Sequence, residues 1–416
     1  MKRSPLLVIF ITIFIDLIGF GIVIPVLPFY VESDRFNATP RSVGLLFASY
    51  SVMQLIFSPI LGRLSDKHGR RPVLLLSLIG TGIGFLIMGF ATTLWMLFAG
   101  RILDGITGGN ISTAQAYIAD ITTPEERAKG MGIVGAAFGL GFIFGPPIGG
   151  ILSRWGIAVP FLFAAALAFA NATLLYFTLP ETVTADHPAR ARSPESRWAL
   201  MQRSLKHTRL AFVLLIYFLF VIAFSIMTTT FALYTMYRFG YDAQHNGYLF
   251  LFIGTIAAIV QGVFIGKIVK RFGELPMVVA GALLFTISLF AVPFVGPRAG
   301  GLVALLLITG LLSIGNSLAT PALTSLTSRS VGRGEQGSIL GVTQSAASLA
   351  RVVGPLLSAF LIYSATSPPQ HISDNSVRAT FWTASAIMFI AFLAAIYFMR
   401  SHAAEYNETE VAPVSS

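Results

Sequence analysis

The sequence predicts an all-α integral membrane protein with twelve transmembrane helices in two pseudo-symmetric six-helix bundles. Three observations carry this prediction. The chain is 55% hydrophobic and only 11% charged, where a soluble globule holds about 25% charged residues. Apolar runs of about 20 residues, the length needed to cross the hydrocarbon layer, recur twelve times. A charged junction and a Gly-Pro pair then recur in both halves of the chain, which makes the halves repeats of one another.

The expected spans fall at roughly 5–31, 42–62, 72–91, 94–117, 130–152, 157–180, 209–235, 246–267, 275–296, 300–323, 335–363 and 377–400. Span 1 begins after Lys2 and Arg3 like a secretory signal. Its apolar run is too long for one, no small-residue cleavage site follows, and Asp16 sits at its middle, so it reads as a retained helix. The only long polar interruption, 181–208, carries five arginines and lysines, two prolines and an amphipathic stretch around Trp198–Leu205. It reads as a linker between an N-terminal bundle (1–180) and a C-terminal bundle (209–400), with 401–416 as a disordered tail. Basic residues set the orientation. With the N-terminus inside, twenty lie in cytoplasmic segments and six in outer loops, which places both termini in the cytoplasm and the chain in the cell (inner) membrane.

The stretch Gly62-Arg-Leu-Ser-Asp-Lys-His-Gly-Arg-Arg71, read as a hinge, packs five of the 46 charged residues into Arg63–Arg71. Gly62 permits close helix approach, Gly69 can take a positive φ, and Pro72 suits a first helical turn. A degenerate copy, Gly266 to Val279, follows at an offset of 204, with both glycines, the basic residue after the first and the proline in register. Lys270 stands where the first copy has Asp66. The pair Gly145-Pro146 is echoed by Gly354-Pro355.

Four charges lie well inside spans: Asp16, Arg101, Asp104 and Arg351. A charge at the bilayer centre costs at least ~2.5–3.5 kcal/mol, so it faces a cavity or a partner. Asp16 is either a proton carrier or a structural acid neutralised by an arginine. Arg101 faces Asp16 or a cavity, or holds a static ion pair, and Asp104, one turn along, is a candidate partner. Gln54, Asn110, Gln115, Gln261, Asn316, Gln344 and Arg351 supply polarity either to a substrate cavity or to interhelical hydrogen bonds. Gly139, Gly141, Gly145, Gly149 and Gly150 form a small-residue stripe in span 5, bent by Pro146 and Pro147. The six histidines are unclustered and off the span centres, cysteine is absent, and no glycine-rich stretch has the setting of a phosphate loop. These features exclude the usual metal, acid–base and ATP-driven sites. No cofactor is expected, and an ion gradient is left as the energy source. The basic residues form no sustained face, so nucleic acid is not an expected partner.

These residues resemble a known family. Gly62 to Arg71 is similar to the signature between the second and third helices of the major facilitator superfamily, and Gly100-Arg101 to Gly109 is similar to its fourth-helix motif. Gly139 to Gly150 resembles the fifth-helix motif of its proton-coupled exporters. Asp16 to Pro28 resembles the first helix of its twelve-helix drug:proton antiporters. Tyr117-Ile-Ala-Asp120, and Gly334 to Gly337 leading to Gly354-Pro-Leu-Leu357, are closest to the tetracycline-efflux (TCR/Tet) subgroup.

The resemblance implies a proton-coupled exporter of a small amphipathic compound, working as a monomer by alternating access. Asp16, Arg101 and Asp104 would couple protons. Gly62, Asp66, Gly69, Arg70, Arg71 and Asp120 would form a cytoplasmic gate, with Arg70 paired to Asp120 and Asp66 at the start of span 11. Gly141, Gly145, Pro146, Gly149 and Gly150 would form the antiporter motif. A metabolite uptake symporter or facilitator, and a receptor or scaffold without transport, are the alternative readings. One departure stands out. The tetracycline exporters carry acids in the third and ninth helices, where this chain has Gly84 and no charge between Met277 and Val295.

Overall fold

The computed structural model of the chain describes residues 5–36, 38–108, 110–123, 127–183, 208–330, 336–367 and 371–411. Described residues are overwhelmingly helical. Span 1 is Pro5–Val31, span 2 Pro40–His68, span 3 Arg70–Gly89, span 5 Arg127–Leu152 and span 6 Val159–Thr178. Span 7 is Thr208–Phe239. Span 8 runs through Ala243–Ile259, a π-helical turn at Val260–Phe264 and Ile265–Phe272. Spans 9 to 12 are Glu274–Ala291, Gly301–Arg329, Gln336–Leu361 and Asp374–Val411. The last helix takes in most of the tail expected to be disordered, through an Ala- and Glu-containing run that favours helix. The linker residues 184–207, Trp198–Leu205 among them, lie outside the described residues, as do Gly109 and Gly334.

Among the described residues ten helices are long and apolar enough to cross a membrane, against the twelve expected. Spans 4 and 11 fall short, for different reasons. Span 4 is two helices, Leu94–Thr107 and Asn110–Ile121, with Gly108 between them at φ −70° and ψ 12°. Broken backbone at membrane depth needs its polar groups satisfied, and the Gly108 carbonyl accepts from Gln54 Nε2 at 3.0 Å. Span 11 is a continuous 26-residue helix whose Gln344, Ser345, Ser348 and Arg351 dilute its apolarity.

The hinge also differs from expectation. Span 2 stays helical through His68 and span 3 begins at Arg70, so Gly69 alone separates them, at φ +101°. Pro72 stands third in the new helix, still in the first turn, where backbone N–H groups have no helical partner.

The chain divides into two compact units. Unit 1 comprises Met1–Arg192, Ile226–Thr255 and Arg351–Thr380, and unit 2 comprises Ser193–Ser225, Ile256–Ala350 and Phe381–Ser416. Spans 7, 8, 11 and 12 are therefore each cut in two. In unit 1 a core of Ile9, Ile13, Leu17, Leu78, Tyr117 and Leu175, drawn from spans 1, 3, 4 and 6, packs together. In unit 2 spans 9 and 10 close on Gly281 and Gly315, where an added methyl would stand 2.6 Å from the Gly315 carbonyl and 2.8 Å from that of Gly281. Lipid is as apolar as leucine, so such small-residue crossings, more than apolar burial, hold helices together here.

Candidate functional site

Three groups of residues in unit 1 bring the sequence-predicted positions together. The first is the junction of spans 2 and 3. Arg70, 3% exposed, donates from Nε to Asp120 Oδ2 at 2.9 Å and from Nη1 to Ser65 Oγ at 2.8 Å, and it pairs with Asp66. A buried guanidinium needs this surrounding of acceptors. Arg71 donates to the Tyr176 carbonyl and lies 5.0 Å from that ring. Glu181, at the end of span 6, accepts from the backbone N–H groups of Arg70 and Arg71 at 2.8 and 3.0 Å, so a carboxylate from another helix caps span 3. Gly69 is needed twice over, because a side chain there would combine positive φ with a 2.5 Å approach to Glu181 Oε2. Gly62 is buried, and its carbonyl accepts from Ser65.

The second group lies inside the unit. Arg101 is fully buried and donates from Nη1 to Asp104 Oδ2 at 2.9 Å. Its Nε and Nη2 have no hydrogen-bond partner among the described residues. The guanidinium lies over the Tyr50 ring at 4.1 Å and over Phe47 at 5.9 Å, so part of its charge is balanced by aromatic faces. Gln54 donates to the Tyr50 hydroxyl at 3.0 Å as well as to Gly108. Gly105 lets span 4 close on Tyr50, since a methyl there would meet the Tyr50 carbonyl at 2.5 Å. Asp16 is partly buried, within reach of the Asn110 amide and of the Asp104 charge. Tyr50 feels Asp16, Arg101, Asp104 and Arg351 together. At Gly84, where the resemblance implies an acid, an added Cβ would stand 2.9 Å from the Gly100 carbonyl and 3.2 Å from Asp104 Cβ. The carboxylate at this point comes from span 4, and Gly84 leaves room for it.

The third group is three glycine crossings in unit 1, of span 5 on spans 1 and 8 and of span 2 on span 11. In span 5, added methyls at Gly141, Gly145 and Gly149 would meet Leu17 Cβ at 2.5 Å, Gly21 Cα at 2.7 Å and the Ile22 carbonyl at 2.8 Å, all on span 1. Gly150 faces span 8 instead, where an added methyl would stand 2.8 Å from the Ala243 carbonyl and 2.9 Å from Gly247 Cα, while one on Gly247 would stand 3.1 Å from the Pro146 carbonyl. Gly44 of span 2 makes the equivalent crossing on span 11, where an added methyl would stand 2.6 Å from the Pro355 carbonyl and 2.7 Å from Ala359 Cβ. Both Gly-Pro pairs of the repeat thus seat a glycine of the opposite half. Arg154 Nε donates to Gln244 Oε1 at 2.6 Å beside the first crossing.

The remaining predicted cavity residues separate. Gln115 is partly buried on span 4. Gln261, Asn316 and Gln344 belong to unit 2, where Gln261 Nε2 reaches Ser317 Oγ at 3.4 Å and Asn316 Oδ1 accepts from Thr320. Sequence reasoning missed Tyr50, Glu181, Gly44 and Gly247. Tyr50 was findable, since it lies one helical turn before Gln54. The other three show themselves only through contacts across 100 residues or more.

The family model described as Major Facilitator Superfamily matches residues 9–355 and 262–415. The chain is 33% identical over 403 residues to the tetracycline resistance protein, class H, of Pasteurella multocida, covering 96% of each. It is 36% identical to the class E protein of Escherichia coli, covering 88% of this chain and 89% of that one. Multidrug resistance protein 2 of Bacillus subtilis (strain 168) is 30% identical, with 86% and 89% covered. Among solved structures, the human organic anion transporter MFSD10 (TETRAN) superposes with a TM-score of 0.69 at 26% identity, over 95% of this chain and 99% of that one. The nucleoside transporter NupG shares the fold at a TM-score of 0.71 and 14% identity, over 95% and 99%.

Proposed function

The chain belongs to the Major Facilitator Superfamily, and from that membership we propose that it exports a small amphipathic organic compound in exchange for protons. The observation that carries this reading is the buried Arg101–Asp104 pair, with two guanidinium donors unused among the described residues and with Asp16 within reach of the Asp104 charge. Arg101 stays charged throughout. Protonating Asp104 would remove its anionic partner and leave the guanidinium seeking an acceptor, which a substrate oxygen or ionised Asp16 can supply. Protons and substrate would then act on the same group in turn, as antiport requires. Relatives named for tetracycline and multidrug resistance support a drug-like cargo. Gly84 puts the carboxylate on a different helix from that of the tetracycline exporters, so we expect a substrate range that differs from theirs.

The positive-inside bias supports placing the hinge junction in the cytoplasm. There Arg70, Asp66 and Asp120 would latch the cytoplasmic side, and the glycine crossings of Gly44 and Gly150 would close the outer side. One chain holds both halves, so the monomer would be the transport unit. The test is substrate efflux measured in inverted vesicles with an imposed pH gradient, using a panel of tetracyclines and other amphipathic drugs. Wild type should accumulate at least one of them in a gradient-dependent way. Asp16→Asn transporting with unchanged gradient dependence would overturn the role given to Asp16.

A further inference from the structure

We propose that a single buried water sits among spans 1, 3 and 6 and links Asp16 to Asp104 through the Thr81 hydroxyl. The inference rests on reading Asp16 as a proton carrier and adds a route to it. A small cavity in unit 1 is lined by Asp16 and Gly19 of span 1, Thr81 and Phe85 of span 3, and Asn171 of span 6, with apolar side chains completing its wall. It leaves about 10 Å³ for the centre of a water molecule, on the order of one water.

Its polar lining is under-used. Asn171, fully buried, donates from Nδ2 to the Thr12 carbonyl at 3.1 Å, which fixes the orientation of the amide. Among the described residues Asn171 Oδ1 then has no partner, and Thr81 Oγ1, in a side chain 4% exposed, has none but the Asp104 carboxylate. Many hydroxyls in these helices return to a carbonyl of the preceding turn, as those of Thr107 and Thr122 do; that of Thr81 does not, and Thr81 lines the cavity. The cavity offers one donor–acceptor (Thr81), one acceptor (Asn171) and one carboxylate (Asp16). A buried water makes about three hydrogen bonds, and that set matches it: accept from Thr81, donate to Asn171 Oδ1 and to Asp16. A hard metal cation would require about six oxygens, twice what the cavity provides.

The same hydroxyl lies close enough to Asp104 to act on it. With Asp104 protonated, its O–H donates to Thr81 Oγ, the Thr81 O–H to the water, and the water O–H to ionised Asp16. One concerted shift breaks the O–H on Asp104 and forms one on Asp16, while Thr81 and the water each take one proton and give one up. Asp104 is left ionised against Arg101. The other titratable or charged groups that bear on this pair are Arg101 of span 4, Tyr50 of span 2 and, through Tyr50, Arg351 of span 11.

The test uses the purified full-length protein in lipid nanodiscs. Infrared difference spectra between acidic and neutral pH should contain a sharp O–H stretching band that shifts in H₂¹⁸O. Thr81→Val, which keeps the shape and removes the hydroxyl, should abolish that band and slow gradient-driven efflux by about tenfold or more. Thr81→Ser should restore both. No shifting band in wild type, or a Thr81→Val protein that keeps both band and rate, overturns the proposal. If the band obeys these expectations while Asp16→Asn keeps its gradient dependence, the water stands, and both the link to Asp16 and the reading of Asp16 as the carrier fall.

Discussion

Replacing Gly44 by alanine tests whether the glycine crossings govern a conformational equilibrium. The added methyl would stand 2.6 Å from the Pro355 carbonyl, 2.7 Å from Ala359 Cβ and 2.8 Å from Ala359 N. None of these is the end of a flexible side chain. Restoring an ordinary 3.4 Å contact requires spans 2 and 11 to part by about 0.8 Å at this point. Overpacking of that kind costs ~1–3 kcal/mol. Alanine also favours the helix by ~0.5–1 kcal/mol, but span 2 is helical whether or not the crossing is closed, so that gain cancels in the ratio of open to closed forms. The ratio should therefore rise by about 5- to 150-fold.

The chain contains no cysteine, which allows spin labels on Arg154→Cys and Gln244→Cys, two side chains that hydrogen-bond when the end is closed. Gly44→Ala should reduce the dipole-broadened fraction of the spectrum. Gly135→Ala, where nothing lies within 4 Å of the new methyl, should leave it alone. Equal effects of the two substitutions, or none from Gly44→Ala in a well-expressed protein, would refute the reasoning.

Arg70→Lys should lower the midpoint of thermal unfolding in detergent and depress efflux at least tenfold. One ammonium cannot reach Asp66, Asp120 and Ser65 together, and a broken buried pair costs ~3–5 kcal/mol; retained efflux would deny the junction a role as a latch. Tyr50→Phe should be mild, because only the acceptor for Gln54 is lost, at about 1 kcal/mol. Tyr50→Leu should be severe, because the ring beneath Arg101 goes, and equal efflux from the two variants would show that the ring carries no weight. Glu32, just past span 1, has its carboxyl raised to about 8 by burial. The folded protein then holds a proton that the unfolded chain releases near 4.5, so stability should fall as pH rises between those values and level off above 8. Glu32→Gln should flatten that slope in melting curves taken from pH 5 to 9; an unchanged slope would move its origin elsewhere.

Much of the fold was legible because lipid imposes a length on every apolar run, and twelve such runs announce themselves without any contact being known. Hydropathy could not see the break in span 4, since Gly108 is no more polar than its neighbours and its carbonyl is satisfied by Gln54, 54 residues away. Nor could charge density reveal that the hinge is helical on both sides of Gly69, because a solvated helix end and a loop share the same composition. Within the site, Asp16, Arg101 and Asp104 stood out because charge is rare in the spans. Tyr50 stood out less: its place one turn before Gln54 pointed to it, but only the guanidinium 4.1 Å from its ring gives it a role. The acid missing from span 3 was visible, but the space at Gly84 that admits Asp104 became apparent only once spans 3 and 4 were packed together.

The two copies of the hinge repeat geometry and invert charge. Each has a glycine at positive φ, Gly69 at +101° and Gly273 at +76°, and each next opens a helix with a buried charged residue. In the first half that residue is Arg70, with Asp66 one turn before it. In the second half it is Glu274, accepting from Ser325, with Lys270 one turn before it. A helix start carries partial positive charge. Glu274 therefore suits its position, whereas Arg70 is repelled by its own helix start and is held there by Asp66 and Asp120. The first junction depends on acids contributed by spans 2, 4 and 6, so any movement of those helices relative to span 3 weakens it. Inverting the second copy with Glu274→Arg should therefore destabilise the protein more than the neutral Glu274→Gln does, by an amount set by the helix start and a second buried cation. Equal melting temperatures for the two variants would mean that the charge at this junction is immaterial and that the asymmetry of the halves lies elsewhere.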